Sequence, residues 1–369
     1  MENKRIVISG YYGFNNSGDE AMLFAILKTL CQQFEDTDIT VISGNPERTT
    51  HTFGVKAIPR FDGFSILKCL YNSDLLISGG GSLLQDVTSW KSLIYYLSII
   101  FTGVCFRKKV FLYAQGIGPV RHRWVRWILR FVLNRVNAIT VRDDESKGFL
   151  ERLGVKNDIY CTADAVLSLV PTSLAPGKAI LHRNHIPQNK KIIGISIRRW
   201  MNTAEWMERL KLYMKCMNKN NEYNFVFIPM QFPEDYQTAK DFCDDFPNVY
   251  ILPESYDTEE LMSLIGNLDL LIGIRLHALI FAALMHIPFI GISYDPKIDN
   301  FLQSAKQTAI FSIENFDENI LCKESSFSLQ KNEEKYDWGA IDCLRSKARE
   351  TADILQNTIC FKGEKLSLI

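Results

Sequence analysis

The chain has 369 residues, 47% hydrophobic and 23% charged. That is longer than the roughly 250–300 residues one hydrophobic core organises, and its composition excludes a disordered or fibrous protein. The 42 Lys plus Arg balance 42 Asp plus Glu, so no net field draws nucleic acid or a charged membrane to the whole molecule, and an anion site has to be local. Nine scattered cysteines without a C-x-x-C pair suit reduced thiols in a cytoplasmic protein. The stretch Met1–Gly10 lacks a secretory apolar region, and the longest apolar run, from Leu93 to Phe106, is too short to span a bilayer.

Short β-branched runs alternate with longer helical patterns, which predicts parallel sheets with crossover helices. In the first half the strands are expected at Arg5–Ser9, Ile39–Ile42, Leu75–Ser78, Val110–Tyr113 and Ala138–Val141, with helices at Glu20–Phe34, Ser92–Val104, Trp124–Arg135 and Glu145–Leu153. Prolines and polar residues between Val170 and Lys191 suggest a break. A second alternation follows, with strands at Ile192–Ile197, Phe225–Ile228, Val249–Leu252, Leu270–Ile274 and Phe289–Ile292. Its helices are expected at Glu205–Asn218, Glu234–Asp244, Thr258–Leu264 and Leu276–Met285. The expectation is two doubly wound, Rossmann-like α/β domains facing a cleft: 1–172, a linker over 173–191, and 192–369. Lys323–Trp338 is expected as a polar loop, and a helix over Ile341–Leu355 is free to pack on either domain, including back on the first.

Ligands of open α/β sheets gather beyond the carboxyl ends of the strands, so the residues there carry the argument. After the first strand stands Gly10-Tyr-Tyr-Gly13-Phe-Asn15-Asn16-Ser17-Gly18-Asp19-Glu20, without the G-x-G-x-x-G spacing of a dinucleotide site. Carboxylates at Asp19 and Glu20 already occupy the positive end of the next helix, so the loop suits neutral hydroxyls better than phosphate. Helix capping by Asn and Ser is the competing explanation. Ser78-Gly79-Gly80-Gly81-Ser82 lets a ligand or another backbone come close, and Asp86 is placed to orient a sugar hydroxyl or to face solvent. These considerations give Gly13, Asn15, Asp19, Gly80, Gly81 and Asp86 as the acceptor set. Gln115-Gly-Ile-Gly-Pro119 belongs to the same rim.

Cations follow several strands: Arg142 in the first half, and Arg198, Arg275 and Lys297 in the second. An ordinary salt bridge is the alternative for Arg142 taken singly. His277 lies two residues after Arg275 at the start of an apolar helix, an unusual setting for a structural histidine. Together Arg142, Arg198, Arg275, His277 and Lys297 suit a compact ligand carrying phosphate and carboxylate. No His, Cys or Asp cluster has metal-ligand spacing, the pairs Asp143-Asp144 and Asp244-Asp245 included.

The runs G-Y-Y-G-F-N-N-S-G-D-E, S-G-G-G-S-L-L-Q-D, A-Q-G-I-G-P and G-I-R-L-H-A-L-I-F-A occur in this order between Ile6 and Lys297. With them the chain resembles the polysaccharide pyruvyl transferases. The resemblance implies a glycosyltransferase-B-like fold and transfer of pyruvate from phosphoenolpyruvate, as a ketal, to a sugar of a cell-surface polymer. In the most similar bacterial members the acceptor is N-acetylmannosamine in a lipid-linked secondary cell-wall polymer precursor, of the kind that anchors S-layers. The family pattern makes Arg142, His277 and Lys297 the catalytic, donor-site residues; Arg198 and Arg275 join them on position and charge. No cofactor is implied beyond phosphoenolpyruvate as donor substrate. The partners expected are the lipid-linked saccharide and, peripherally, the inner face of the membrane, with no nucleic acid.

Between Arg121 and Arg135 the residues Arg123, Trp124, Arg126, Trp127 and Arg130 fall at helical spacing, and such a helix either rests on an anionic bilayer or is a core helix with one solvated stripe. Two other functions fit the same architecture. One is a nucleotide-sugar glycosyltransferase, which needs nucleobase contacts that no run supplies. The other is a non-catalytic module for lipid-linked saccharide, against which the Arg-His-Lys set speaks.

Overall fold

The computed structural model describes residues 4–34, 36–87, 89–200, 203–243, 246–307, 311–330 and 336–359. The chain divides into two compact units. The first comprises Met1–Phe14, Asp19–Ser168 and Leu344–Ile369; the second comprises Asn15–Gly18 and Leu169–Cys343.

The first unit is built from β1 (Lys4–Ser9), α1 (Ser17–Gln33), β2 (Thr37–Ser43), α2 (Pro46–Phe53), β3 (Lys56–Pro59), α3 (Gly63–Asn72), β4 (Leu75–Ser78) and β5 (Gly81–Leu84). It continues through α4 (Trp90–Cys105), β6 (Lys109–Ile117), α5 (Arg123–Leu133), β7 (Ala138–Val141), α6 (Asp144–Leu153) and β8 (Ile159–Cys161). The strands run in parallel in the order β3-β2-β1-β4-β6-β7-β8, with β5 also paired to β6. Both faces of such a sheet are covered, so β4 and β7 are apolar and buried at nearly every position. On one face, Ile66 and Leu70 of α3, Leu93 and Leu97 of α4, Val125 and Leu129 of α5 and Leu150 of α6 share a single core. Helix ends follow side-chain chemistry. Asp143 accepts the Ser146 N–H to start α6, and Gly154, at φ 81°, ends it.

The second unit contains α7 (Ala175–Arg183), β9 (Lys191–Ser196), α8 (Thr203–Met217), β10 (Tyr223–Phe227), α9 (Glu234–Cys243), β11 (Val249–Ile251), α10 (Thr258–Ile265) and β12 (Leu270–Gly273). After these come α11 (Leu276–Leu284), β13 (Phe289–Ser293), α12 (Pro296–Ser304), β14 (Phe311–Ser312), α13 (Glu318–Leu329) and α14 (Trp338–Ile359). Its parallel sheet has the order β11-β10-β9-β12-β13-β14. This is the doubly wound order, whose switch point lies between the first and fourth strands of the unit, here β9 and β12.

Two expectations are corrected. The segment expected as a linker over 173–191 contains α7, because Pro176 sits in the first turn, where proline starts a helix rather than breaking it. Gly177 then packs on the Ser263 carbonyl, its N–H donating to Ser263 Oγ at 2.7 Å. The polar stretch from Lys323 is helical as far as Leu329, because Ser325 and Ser328 turn inward, Ser325 meeting the Tyr213 hydroxyl at 2.9 Å. Residues 331–335 of that stretch lie outside the described residues, as do Asp244 and Asp245. Helix α14 begins with the second unit and from Leu344 clusters with the first, where Lys109 Nζ donates to the Thr358 carbonyl at 2.7 Å. Among the described residues no helix is long and apolar enough to cross a membrane.

Candidate functional site

The loop after β1, which carries Asn15–Gly18 into the second unit, folds back on itself. Glu20 accepts the Gly13 N–H at 2.8 Å, and burial raises the Glu20 carboxyl against the pull of that bond. Asn15 takes the left-handed conformation at φ 56°, which asparagine tolerates. Asn16 Oδ1 accepts the Gly18 N–H at 3.1 Å, so the capping role suspected for the loop's asparagines is realised. The glycines after β4 are required by their own unit. A Cβ on Gly79 would stand 1.9 Å from the Tyr12 hydroxyl, and one on Gly80 2.9 Å from the Met22 sulfur. At Gly81 the nearest groups are Met22 and Asp19, again from α1.

Asp86 is not turned to solvent. Its carboxylate accepts the Arg121 N–H at 2.8 and 2.9 Å and the His122 N–H at 3.0 Å, and lies 2.6 Å from His122 Nδ1. Burial alone would raise this carboxyl; the donors from His122 and Arg121 outweigh it and hold it below the usual range. The group anchors the turn into α5.

Arg142, directly after β7, is only 7% exposed. Its Nη1 donates to Asp164 at 3.1 Å and its Nη2 to Ser82 at 2.9 Å, with Asp143 3.7 Å away. Asp164 escapes sequence reasoning because it follows β8, three residues long and half-exposed, with no apolar pattern.

In the second unit the cations behave differently from one another. Arg275, at the N-cap of α11, is locked to Asp235 of α9 through Nε at 3.0 Å and through Nη2, and Asp235 also accepts the Met230 and Gln231 N–H groups. Burial pushes the Asp235 carboxyl up, and Arg275 pulls it back. Arg198, just beyond β9, has no carboxylate partner among the described residues. Its Nη1 donates to the Tyr294 hydroxyl at 2.7 Å, its guanidinium lies 5.1 Å from the rings of Trp200 and Tyr294, and its Nε is buried without an acceptor. Lys297, in the first turn of α12, stands 5.5 Å from the same Tyr294 ring and 3.5 Å from Asp295. Tyr294, absent from the sequence-derived set, is thus the platform shared by two cations. Beside it opens a cavity of about 410 Å3 lined by Trp200, Trp206, Tyr294, Asp295, Asp299 and Phe316, among others.

His277 occupies the first turn of α11 against the Asn15–Gly18 segment. A Cβ on Gly18 would fall 2.1 Å from its Nδ1. The segment is fastened to the same unit by Ser17 N–H to the Met230 carbonyl at 2.8 Å and by an antiparallel bridge between Asn16 and Gln231. Two motifs, whose Gly18 and His277 stand 259 residues apart, therefore meet, and Gly18 is glycine because the imidazole occupies the space of its side chain. Of the expected donor residues the second unit joins Arg198 and Lys297 on one ring, sets His277 on the glycine-rich loop and turns Arg275 into Asp235, while Arg142 belongs to the first unit.

Among solved structures the chain is similar to UDP-GlcNAc 2-epimerase from Methanocaldococcus jannaschii, with a TM-score of 0.68 at 13% identity, covering 96% of this chain and 100% of that one. It is also similar to a putative UDP-N-acetylglucosamine 2-epimerase from Listeria monocytogenes, with a TM-score of 0.66 at 12% identity over the whole of both chains. The ADP-heptose LPS heptosyltransferase II of E. coli gives 0.52 at 14% identity, covering 89% and 99%. At these identities the likeness shows the fold, two Rossmann-like α/β domains of the glycosyltransferase-B type. In sequence, the amylovoran biosynthesis protein AmsJ of Erwinia amylovora is 21% identical over 355 residues, 79% of this chain and 84% of that protein. The description of the polysaccharide pyruvyl transferases matches residues 16–296, from the capping asparagine before α1 to the first residue of α12. The chain belongs to the polysaccharide pyruvyl transferase family.

Proposed function

We propose that the protein transfers the pyruvyl group of phosphoenolpyruvate to a sugar of a lipid-linked polymer precursor, on the cytoplasmic side of the membrane, forming a cyclic ketal across O4 and O6 of N-acetylmannosamine. The observation that carries the donor side is Arg198. A guanidinium without a carboxylate, its Nε buried and unpartnered, has donors left for an anion, and Lys297, itself 3.5 Å from Asp295, stands on the same tyrosine. Leaving such a buried donor unpaired costs about 1–3 kcal/mol, which a bound phosphate or carboxylate relieves. Arg275, already neutralised by Asp235, serves this site by positioning rather than by net charge, and Arg142 is neutralised within the first unit by Asp164.

In this reading His277 delivers a proton to the vinyl carbon C3 of phosphoenolpyruvate, which becomes the methyl group, and positive charge develops at C2. A sugar hydroxyl attacks C2 and returns its proton to His277; the C2–O bond to phosphate breaks, and a second hydroxyl closes the ketal on C2 as its proton passes to the departing phosphate. Arg198 and Lys297 stabilise the phosphate as it leaves. The cavity beside Tyr294 combines aromatic faces with Asp295 and Asp299. That pairing suits the hydroxyls and C–H face of a sugar and repels an anion.

The test is incubation of the purified protein with phosphoenolpyruvate and a synthetic N-acetylmannosamine-containing lipid acceptor, following phosphate release and product mass. The expected result is a ketal product, with turnover lowered about a hundred- to ten-thousandfold in His277→Ala and KM for phosphoenolpyruvate raised about tenfold or more in Arg198→Ala. No product from phosphoenolpyruvate, but transfer from a nucleotide sugar, would overturn the reading.

A further inference from the structure

Helices α3, α4 and α5 lie side by side in the layer covering one face of the first sheet. Each buries one apolar stripe there and shows a second one outward. On α3, Ile66 and Leu70 enter the core, while Phe64, Leu67 and Tyr71, three to four residues apart, are 78%, 48% and 66% exposed, with Phe61 just before the helix at 82%. On α5, Val125, Leu129 and Val132 enter the core, while Trp124 and Trp127 stay outside. The outer rings join across the helices: Tyr71 meets Phe106 at the end of α4, Trp90 meets Trp124, and Phe101 meets Phe131, with centroids 5.6, 5.6 and 6.2 Å apart. A helix apolar on both sides is normally buried on both, and an exposed patch of this breadth marks an interaction site.

Charge identifies the partner. The three helices carry Lys68, Lys91, Arg123, Arg126 and Arg130 and no acidic residue, in a chain whose net charge is zero. None of the five is ion-paired with a described residue. Basic heads lie over the rings, Lys108 5.7 Å from the Tyr71 centroid, Lys91 5.9 Å from that of Trp90 and the Arg135 guanidinium 3.7 Å from that of Phe131. Long cationic side chains flanking exposed aromatic rings match the boundary between acyl chains and anionic headgroups. A second copy of the same face would set like charges against one another.

We propose that the α3–α4–α5 face docks on an anionic lipid bilayer, with Phe61, Phe64 and Tyr71 entering the acyl boundary and the five basic residues holding headgroups. The proposal extends the membrane contact expected for α5 alone, and it stands independently of the donor chemistry because its readout is binding. The experiment is co-sedimentation of the full chain with vesicles of phosphatidylcholine alone and of phosphatidylcholine with phosphatidylglycerol in equal parts. It is run at about 0.1 M and about 1 M salt, between which the Debye length falls from ~10 to ~3 Å. Expected are binding to the anionic vesicles only and weakening by salt. Phe61→Ser/Phe64→Ser/Tyr71→Ser should bind at least about tenfold more weakly, and Lys91→Glu or Arg123→Glu about fivefold more weakly. Absence of binding by the wild type, equal binding to both vesicles, or unaltered binding by both kinds of variant would overturn it. So would a wild-type dimer in solution that the triple variant abolishes, which would assign the face to a second copy.

Discussion

Replacing Gly18 by alanine tests whether the meeting of the glycine-rich loop with His277 matters for turnover. The added Cβ would lie 2.1, 2.7 and 2.9 Å from Nδ1, Cγ and Cε1 of His277, so the whole ring, not one atom, is in the way. Two responses compete. The start of α1 can retreat, breaking the bonds from Ser17 N–H to Met230 and from Gly18 N–H to Asn16, at about 1 kcal/mol each. Alternatively, the imidazole can leave its rotamer, at about 0.5–1.5 kcal/mol. Either response separates the ring from its place against the loop, and alanine returns up to ~1 kcal/mol of helix propensity against the cost. Gly18→Ala is therefore expected to keep its unfolding midpoint while turnover falls by about a hundredfold, the scale of a 1 Å misplacement of a reacting group. The assay is steady-state phosphate release beside a denaturant melt, repeated in a His277→Ala background, where the same substitution should cost nothing further. Full turnover in Gly18→Ala, or an equal loss when His277 is already absent, would refute the reasoning.

Two further predictions concern the first unit. The Asp86 carboxyl is raised by burial but lowered more by its bonds to His122 and Arg121, so its folded pKa lies below the unfolded value. The stabilisation it provides is present above the unfolded pKa, near 4, and is lost as pH falls through the folded value. Melts at descending pH should show this loss in the wild type and a flatter profile in Asp86→Asn, which should also be about 1–3 kcal/mol less stable at neutral pH. Removing Arg142 takes from Asp164, 6% exposed, its ion pair and leaves it the Val166 N–H; Arg142→Ala should cost about 3–5 kcal/mol in urea unfolding, and Arg142→Ala/Asp164→Ala clearly less. Additive losses in the double variant would show that the pair is not coupled.

What could be read from the sequence was whatever depends on neighbours along the chain. Strands buried on both faces of a parallel sheet need unbroken apolar runs, so β4 and β7 fall on the predicted residues and β1, β9 and β12 within one residue of them at each end. The amphipathic period of α5, the family motifs and the apolar start of α11 were equally visible. Short or half-exposed strands such as β3, β8 and β14 were not, because register with a neighbour, not composition, makes them strands. Nor was the state of the cations. Arg142, Arg198 and Arg275 look alike in sequence, each after an apolar strand, yet Asp164 and Asp235 neutralise two of them from 22 and 40 residues away. The third is left with Tyr294. A side chain's partner is set by where the fold brings distant elements, and that same convergence placed Gly18 under His277 and united three separate apolar stripes into one exposed face.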